Sequence, residues 1–442
     1  MNIVPRFAVL AFVGVAIGTA PAQAPPLANA PRFALPDVPY DYSPRVAAGL
    51  GSRFPLPQRD GGAPMRGCGP GAAPFVGPPA PDRFDDLATL GRVLFFDPLL
   101  SKNGTRSCAS CHQPQHGFAD PQPLSRGFHG RPTKRNSMAI ANLGLHPGPF
   151  FWDGRVRTLE QMVLSPVEDA IEMGMTLDAV CDRLAVEPGY AELFTKAFGG
   201  PLVTSGRVAE ALAQFVRSIV SLRSRYDEGL AAVGDVELDF PGFTPAENRG
   251  KRVFFGTKDR PHSCAACHVQ LVPSGCGSVR DVVNLQGGFF VNGLDRGRAG
   301  DDPGRGAVTK KNTDVGSFRA PSLRNIELTA PYMHDGRFAT LEEVVDFYAS
   351  KVRSHANLDA LLGGDSRRSW WGSAAPPVPA GAVLGTMHTI VGRPTGMLLT
   401  GRERADLVAF LKTLTDWELV RDERFADPFA SAAGRRLARV GR

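Results

Sequence analysis

Cysteine and histidine are scarce in this sequence, at seven and nine of 442 residues. At that density chance supplies on the order of 0.002 copies of a C-x-x-C-H pentapeptide. Long apolar runs are scarce too. After Phe7–Ala20 no stretch is long and apolar enough to cross a bilayer, which argues against a polytopic membrane protein. Charge of one sign is not concentrated. The net charge of +6 is a mild excess for this length. The basic residues Arg296, Arg298, Arg305, Lys310 and Lys311 are interleaved with Gly and Asp, as in a solvated loop. Without aromatic interleaving or a binding motif, they give no reason to expect a nucleic-acid partner. Stretches that alternate as strands are few, so the fold class expected is mostly α.

What is present departs sharply from chance. Cys108-Ala-Ser-Cys111-His112 and Cys264-Ala-Ala-Cys267-His268 are two copies of C-x-x-C-H, the c-type haem attachment signature. In such a site both thiols add to the haem vinyl groups and the histidine becomes the proximal iron ligand. A zinc site with pooled ligands, or a redox C-x-x-C pair, is the competing reading. The compartment argues against it. Arg6, the run Phe7–Ala20 and the small-x-small triplet Ala22-Gln23-Ala24 read as a signal peptide over residues 1–24. Covalent c-haem attachment in bacteria takes place outside the cytoplasmic membrane, so a periplasmic protein without an integral span after cleavage is expected. Pro25 disfavours cleavage directly before it, and an uncleaved anchor is the alternative. Cys68, Cys181 and Cys276 remain, enough for one disulfide and one thiol.

Residues 25–82 are rich in Pro, Gly and Ala and read as a linker or wrapping arm. Beyond them lies a weak duplication. Gly91-Arg-Val-Leu-Phe-Phe96 precedes the first motif and Gly250-Lys-Arg-Val-Phe-Phe255 the second, with the first cysteines of the two motifs 156 residues apart. We expect two tandem c-type cytochrome domains with long loops and one covalent haem each, over 83–240 and 241–420, followed by a tail at 421–442. Helix starts are marked. Thr204 or Ser205 caps a run with Val208, Leu212, Phe215, Ile219 and Leu222 on one face. Capping boxes begin at Thr158, Thr244, Thr340 and Thr400, and the Thr244 box has Pro245 at the first helical position. The stretch 353–395, with Trp370-Trp371, reads as a loop.

Several longer motifs are more specific: Lys134-Arg135-Asn136-Ser137, Phe151-Trp152-Asp153-Gly154-Arg155, Pro166 through Glu172-Met173-Gly174, and Pro321-Ser-Leu-Arg-Asn325 continuing to Thr329-Ala-Pro-Tyr-Met-His-Asp-Gly336. From about residue 84 to 416 the sequence resembles the bacterial di-haem cytochrome c peroxidase family, which includes MauG. The resemblance implies two haem c groups, a calcium ion between the domains, and a division of labour. The haem on His112 would meet hydrogen peroxide, with Glu172 as the distal acid–base group. The haem on His268 would relay electrons from a small donor protein, a cytochrome c or a cupredoxin. Trp152 matches a tryptophan lying between the haems. Asn136, Thr329 and Pro331 match calcium positions, which would supply an amide and backbone carbonyl oxygens. Tyr348 stands where ordinary peroxidases carry a methionine ligand and MauG a tyrosine. Its face, shared with Leu341, Val344 and Val345, fits a buried phenol with or without a metal bond. His129 lies one residue beyond the position of a switchable ligand to the first iron. The resemblance therefore implies a peroxidase reducing peroxide to water. The alternatives are a MauG-like oxidase that modifies a protein or organic substrate, and a non-catalytic electron carrier. Glu172 argues against the carrier.

Overall fold

A computed structural model describes residues 33, 35–36, 39–43, 83–146, 148–256, 263–268, 270–271, 280–281, 288–359, 362–363 and 396–430. The export signal, Cys68, Cys276 and Trp370-Trp371 lie outside them. The described helices are α1 (Phe84–Phe96), α2 (Leu159–Glu168), α3 (Leu177–Ala185), α4 (Tyr190–Phe198), α5 (Ser205–Ser218), α6 (Arg225–Val233), α7 (Pro245–Phe255), α8 (Ala265–His268), α9 (Gly306–Thr309), α10 (Leu341–Asp346), α11 (Gly401–Lys412) and α12 (Trp417–Arg421). Four two-residue strands form two small antiparallel pairs. The chain is largely helical with long connections, as expected.

The threonines expected to start helices do so. Thr204 caps α5, its hydroxyl accepting from the Arg207 N–H. Thr244, Thr340 and Thr400 each form a reciprocal box with the glutamate three residues on. Thr158 caps α2, but its partner Gln161 turns its amide oxygen to the Arg157 N–H, so that box is only half closed.

The duplicated segments become two helix crossings of one kind. In α1, a Cβ on Gly91 would lie 2.0 Å from the Ala211 carbonyl oxygen and 2.8 Å from the Phe215 Cβ of α5. In α7, a Cβ on Gly250 would lie 1.9 Å from the Asp406 carbonyl oxygen and 2.9 Å from the Phe410 Cβ of α11. Each glycine meets residue i and residue i+4 of its partner, one ridge of that helix. Two helices in backbone contact leave no room for any side chain there.

Around each crossing lies a hydrophobic cluster. The first holds Leu87, Leu90, Leu94, Phe95, Leu212 and Phe215. The second holds Phe254, Leu407, Phe410, Leu411 and Leu414, with Tyr226 of α6. Distant segments close the first cluster. Tyr42 is fully buried against Phe215 and Phe425, with ring centroids 6.4 and 6.3 Å apart. Phe425 in turn lies 6.0 Å from Phe118. Arg424 ties the two segments together by donating to the Asp41 and Ser43 carbonyls at 2.7 and 3.1 Å.

Gly250→Ala should destabilise the protein by about 1–3 kcal/mol, since the helices must separate. Gly206→Ala on α5 has open space around it, with nothing nearer than 4.0 Å. It should be neutral or stabilising by up to about 1 kcal/mol. Denaturant unfolding of both variants checks the contrast.

Candidate functional site

Each C-x-x-C-H motif opens onto a cavity. The first cavity is lined by Cys108, Cys111, His112 and Glu172, and the second by Cys264, Cys267, His268 and Tyr348. Their empty volumes, open mouths included, are about 2500 and 1650 Å³. The histidines are set alike. His112 Nδ1 lies 3.1 Å from the Phe118 carbonyl oxygen and His268 Nδ1 lies 2.9 Å from that of Pro321. A carbonyl only accepts, so Nδ1 carries the proton and Nε2 keeps its lone pair. Burial lowers the pKa of both rings and favours the neutral form. A neutral imidazole oriented by a second hydrogen bond is the state a metal-ligating histidine needs. With two thiols beside each ring, the residues fit a covalently attached haem in each cavity.

Glu172 lies beyond the end of α2, in a turn made by Asp169. The Asp169 carboxylate accepts from the Ile171 and Glu172 N–H groups at 2.8 and 3.1 Å. Burial, and secondarily the charge of Asp169, raise the Glu172 pKa to about 6. A carboxyl poised there exchanges protons near neutral pH. Gly174 completes the turn at φ +67°, with the Phe128 ring where a side chain would stand.

His129 is not brought to this site. It is exposed, its ring resting on Phe128 with centroids 4.0 Å apart, and it does not line the first cavity. The reason is local. The Phe128 N–H donates to the Glu172 carbonyl at 3.0 Å, and Gly127 abuts the Ile171 carbonyl. This pairing turns residue 128 inward and residue 129 outward.

Asn136, Trp152 and Arg319 line both cavities. The Trp152 indole donates to the Asn136 carbonyl at 2.8 Å, which fixes its plane in the shared wall. Asn136, Thr329 and Pro331 come together along the second cavity. Beneath Trp152 is an ion cluster. Arg135 donates to Asp153 at 2.6 Å and makes a two-pronged pair with Asp302 at 2.7 and 2.8 Å. Arg155 also reaches Asp153, at 3.1 Å.

Tyr348 opens onto the second cavity, as do Leu341, Val344 and Val345, so the face expected for it is the face it has. It sits in a single π-helical segment, Phe347–Lys351, that continues α10. Such wide turns recur at functional sites because they re-aim one side chain. Burial pushes the phenol pKa strongly upward, opposed by a 3.1 Å hydrogen bond that its oxygen accepts from Asn292. Two thioethers, Met333 and Met397, line the same cavity, and the Met397 sulfur lies 4.0 Å from Cys264. Sequence reasoning passed over Asn292, Met397 and Arg319. Met333 at least lay inside a motif.

Residues 85–234 match the family model described as di-haem cytochrome c peroxidase. The chain is similar to the methylamine utilization protein MauG of Methylorubrum extorquens, 34% identical, the match covering 77% of this chain and 80% of that one. It is also similar to the cytochrome c551 peroxidase of Nitrosomonas europaea, 35% identical over 59% of this chain and 72% of that one. Among solved structures, it resembles a MauG-like protein associated with microbial copper homeostasis, with 32% identity and a TM-score of 0.62, covering 78% and 94% of the two chains.

The ion cluster yields a pH prediction. Burial raises the Asp153 and Asp302 carboxyls, but Arg135, with Arg155 at Asp153, outweighs it and holds both below the usual range. Depressed carboxylates stabilise the fold fully above their unfolded value of about 3.9 and lose that contribution as pH falls through the folded values. Arg135→Met should therefore cost about 3 kcal/mol at pH 7. The deficit should shrink below pH of about 4, read by thermal melts across pH.

Proposed function

The chain belongs to the di-haem cytochrome c peroxidase and MauG family of oxidoreductases, and on that premise we propose that it is a periplasmic peroxidase, reducing hydrogen peroxide to water with electrons from a small redox protein. The observation that carries this reading is Glu172, a half-buried carboxyl in the cavity of Cys108, Cys111 and His112, with its pKa raised to about 6. Haem c, held on His112 and on His268, would supply the redox-active iron and the reducing equivalents for cleaving the O–O bond. The protein supplies the proton traffic. Glu172 takes the proton from one peroxide oxygen and returns it to the other, so that water leaves. Two electrons and two further protons complete the conversion to two waters.

His112 and His268 hold the two irons in this reading, and Trp152 lies on the route between them. Asn136, Thr329 and Pro331, gathered along the second cavity, would supply oxygen ligands to a calcium ion. His129, on the surface, has no part in this reading.

A second reading draws support from Tyr348. A Tyr348 phenolate, bound to an iron held by His268, would stabilise the ferric state and lower the potential relative to a thioether. This is the bias of a MauG-like enzyme, which spends peroxide on modifying a protein or organic substrate.

Glu172→Gln should slow the peroxide reaction by about 10²–10⁴-fold with both haems attached. In the parent protein the rate should rise about tenfold per pH unit below 6 and level off above about 7, as the carboxylate becomes the major form. Stopped-flow absorbance gives both, and a pH-independent rate unaffected by the substitution removes Glu172 from the mechanism. Electron paramagnetic resonance of the ferric protein separates the two readings. Tyr348→Phe should abolish a low-spin His/Tyr signal if the phenol is a ligand. An unchanged spectrum leaves the peroxidase reading alone.

A further inference from the structure

Asp120 is a buried carboxylate with no cation beside it. It is 5% exposed and stands two residues beyond Phe118, whose carbonyl orients His112. Its Oδ1 accepts from the Gln122 N–H at 3.0 Å and its Oδ2 from the Ser125 hydroxyl at 2.5 Å. Ser125 also meets the Ser137 hydroxyl, oxygen to oxygen at 2.8 Å. A carboxylate only accepts, so the one Ser125 proton goes to Asp120, and Ser137 must donate to Ser125. The hydroxyls of this chain therefore point toward Asp120 from Ser137, which lines both cavities. The Asn136 amide fixes the same loop by donating to the Gln122 and Pro123 carbonyls at 3.3 and 3.1 Å.

Among the described residues, no arginine, lysine or histidine nitrogen lies within ion-pair distance of Asp120. The cations lining the first cavity are placed otherwise. Arg106 and Arg126 donate to the Gly127 and Gly130 carbonyls at 3.3 and 3.2 Å, and Lys134 is exposed. Arg135 and Arg155 pair with Asp153. Arg319 reaches His146 at 2.7 Å and shares the Phe289 ring with Arg305, at 4.8 and 4.0 Å. Asp120 nonetheless acts on the attachment motif. Burial lowers the His112 pKa, and the bond to Phe118 and the charge of Asp120 oppose it. Burial pushes the Cys111 thiol up to about 11, with Ser125 working against the rise and Asp120 adding to it. The second site differs. Among the described residues, only the bond to Pro321 opposes burial at His268, and Asp359 acts on Cys267 but not on that ring. A buried carboxylate needs positive charge near it as well as hydrogen bonds. That need is met when His112 holds an iron, and met better when the iron is ferric.

We propose that Asp120 is a potential-setting residue for the first iron: its negative charge, held in place by Ser125, favours the ferric over the ferrous state of the haem on His112 and leaves the haem on His268 largely unaffected. Asp120 lines neither cavity, so it acts through its field and not by touching haem or peroxide. Across about 10 Å at an effective dielectric of about 20, one charge changes such an equilibrium roughly tenfold. An iron that hands electrons to peroxide is helped by a charge that stabilises its oxidised states. Two histidines set alike by their carbonyls are in this way made unequal.

This inference rests on the reading that each motif holds a haem, so the first measurement is the haem count per chain by pyridine haemochrome. Fewer than two haems in the parent protein removes that reading and this one with it. With two haems in each variant, spectroelectrochemical titration of the holoprotein decides. Asp120→Asn should shift the ferric-to-ferrous equilibrium of the His112 haem toward ferrous by about tenfold, or 59 mV for one electron. The His268 haem should shift far less. Asp120→Glu restores the charge and should recover most of the change, which a merely structural role would not predict. No shift, a shift toward ferric, equal shifts at both haems, or a shift in Asp120→Glu as large as in Asp120→Asn would each overturn the proposal. Should Asp120→Asn fail to fold, Ser125→Ala takes its place. Without its hydroxyl donor the buried charge is less well held, and the His112 haem should move toward ferrous by a smaller factor; an unmoved equilibrium there overturns the proposal too.

Discussion

Two helices cross with their backbones touching only where one of them has no side chain. Gly91 and Gly250 create that condition twice, each against residues four apart on a later helix. The crossings draw in Leu90, Leu94 and Phe215 on one side and Phe254, Leu407 and Phe410 on the other. Those clusters fix where the chain goes after α1 and α7. In both places a C-x-x-C-H segment follows within about a dozen residues and lines a cavity. The histidine orientation follows from the same frame, because the carbonyls of Phe118 and Pro321 are held by segments packed on those helices. The two sites are alike because the geometry beneath them repeats.

What differs between the cavities is the lining beyond the attachment motifs. The first has an acidic turn, in which Asp169 holds Glu172 by the backbone and its charge opposes ionisation of Glu172. The second has a phenol delivered by one wide helical turn and steadied by Asn292. Between them runs a wall rich in arginine. Arg135, Arg155, Arg305 and Arg319 converge on Asp153, Asp302 and aromatic faces, so the boundary is held by charge and π-contacts rather than by aliphatic packing. Trp152 is positioned by a peptide carbonyl and needs no charge of its own.

The sequence made the local part of this structure readable. Threonine followed by glutamate three residues later marked the starts of α7, α10 and α11, because a cap is satisfied within four residues. The attachment motifs were equally explicit, since one turn carries all three groups. The glycine crossings were visible only as a repeat, without their reason. The missed residues share a cause. Arg319 and His146 are 173 residues apart and Asn292 and Tyr348 are 56 apart, so their significance exists only after folding. His129 shows the limit of counting. A single position in an extended segment exchanges the buried and exposed faces, and Phe128 took the inner one.

The first cluster is also a record of when it is completed. Tyr42, Phe215 and Phe425 meet in one aromatic contact, with centroids 5.9 to 6.4 Å apart. No chain that has only just emerged past α5 holds all three. The last ring lies far down the chain from α5, and it leans on Phe118, whose carbonyl orients His112. The setting of His112 is thus closed by rings drawn from both ends of the described residues, so a change at Tyr42 or Phe425 reaches the first cavity without touching its lining.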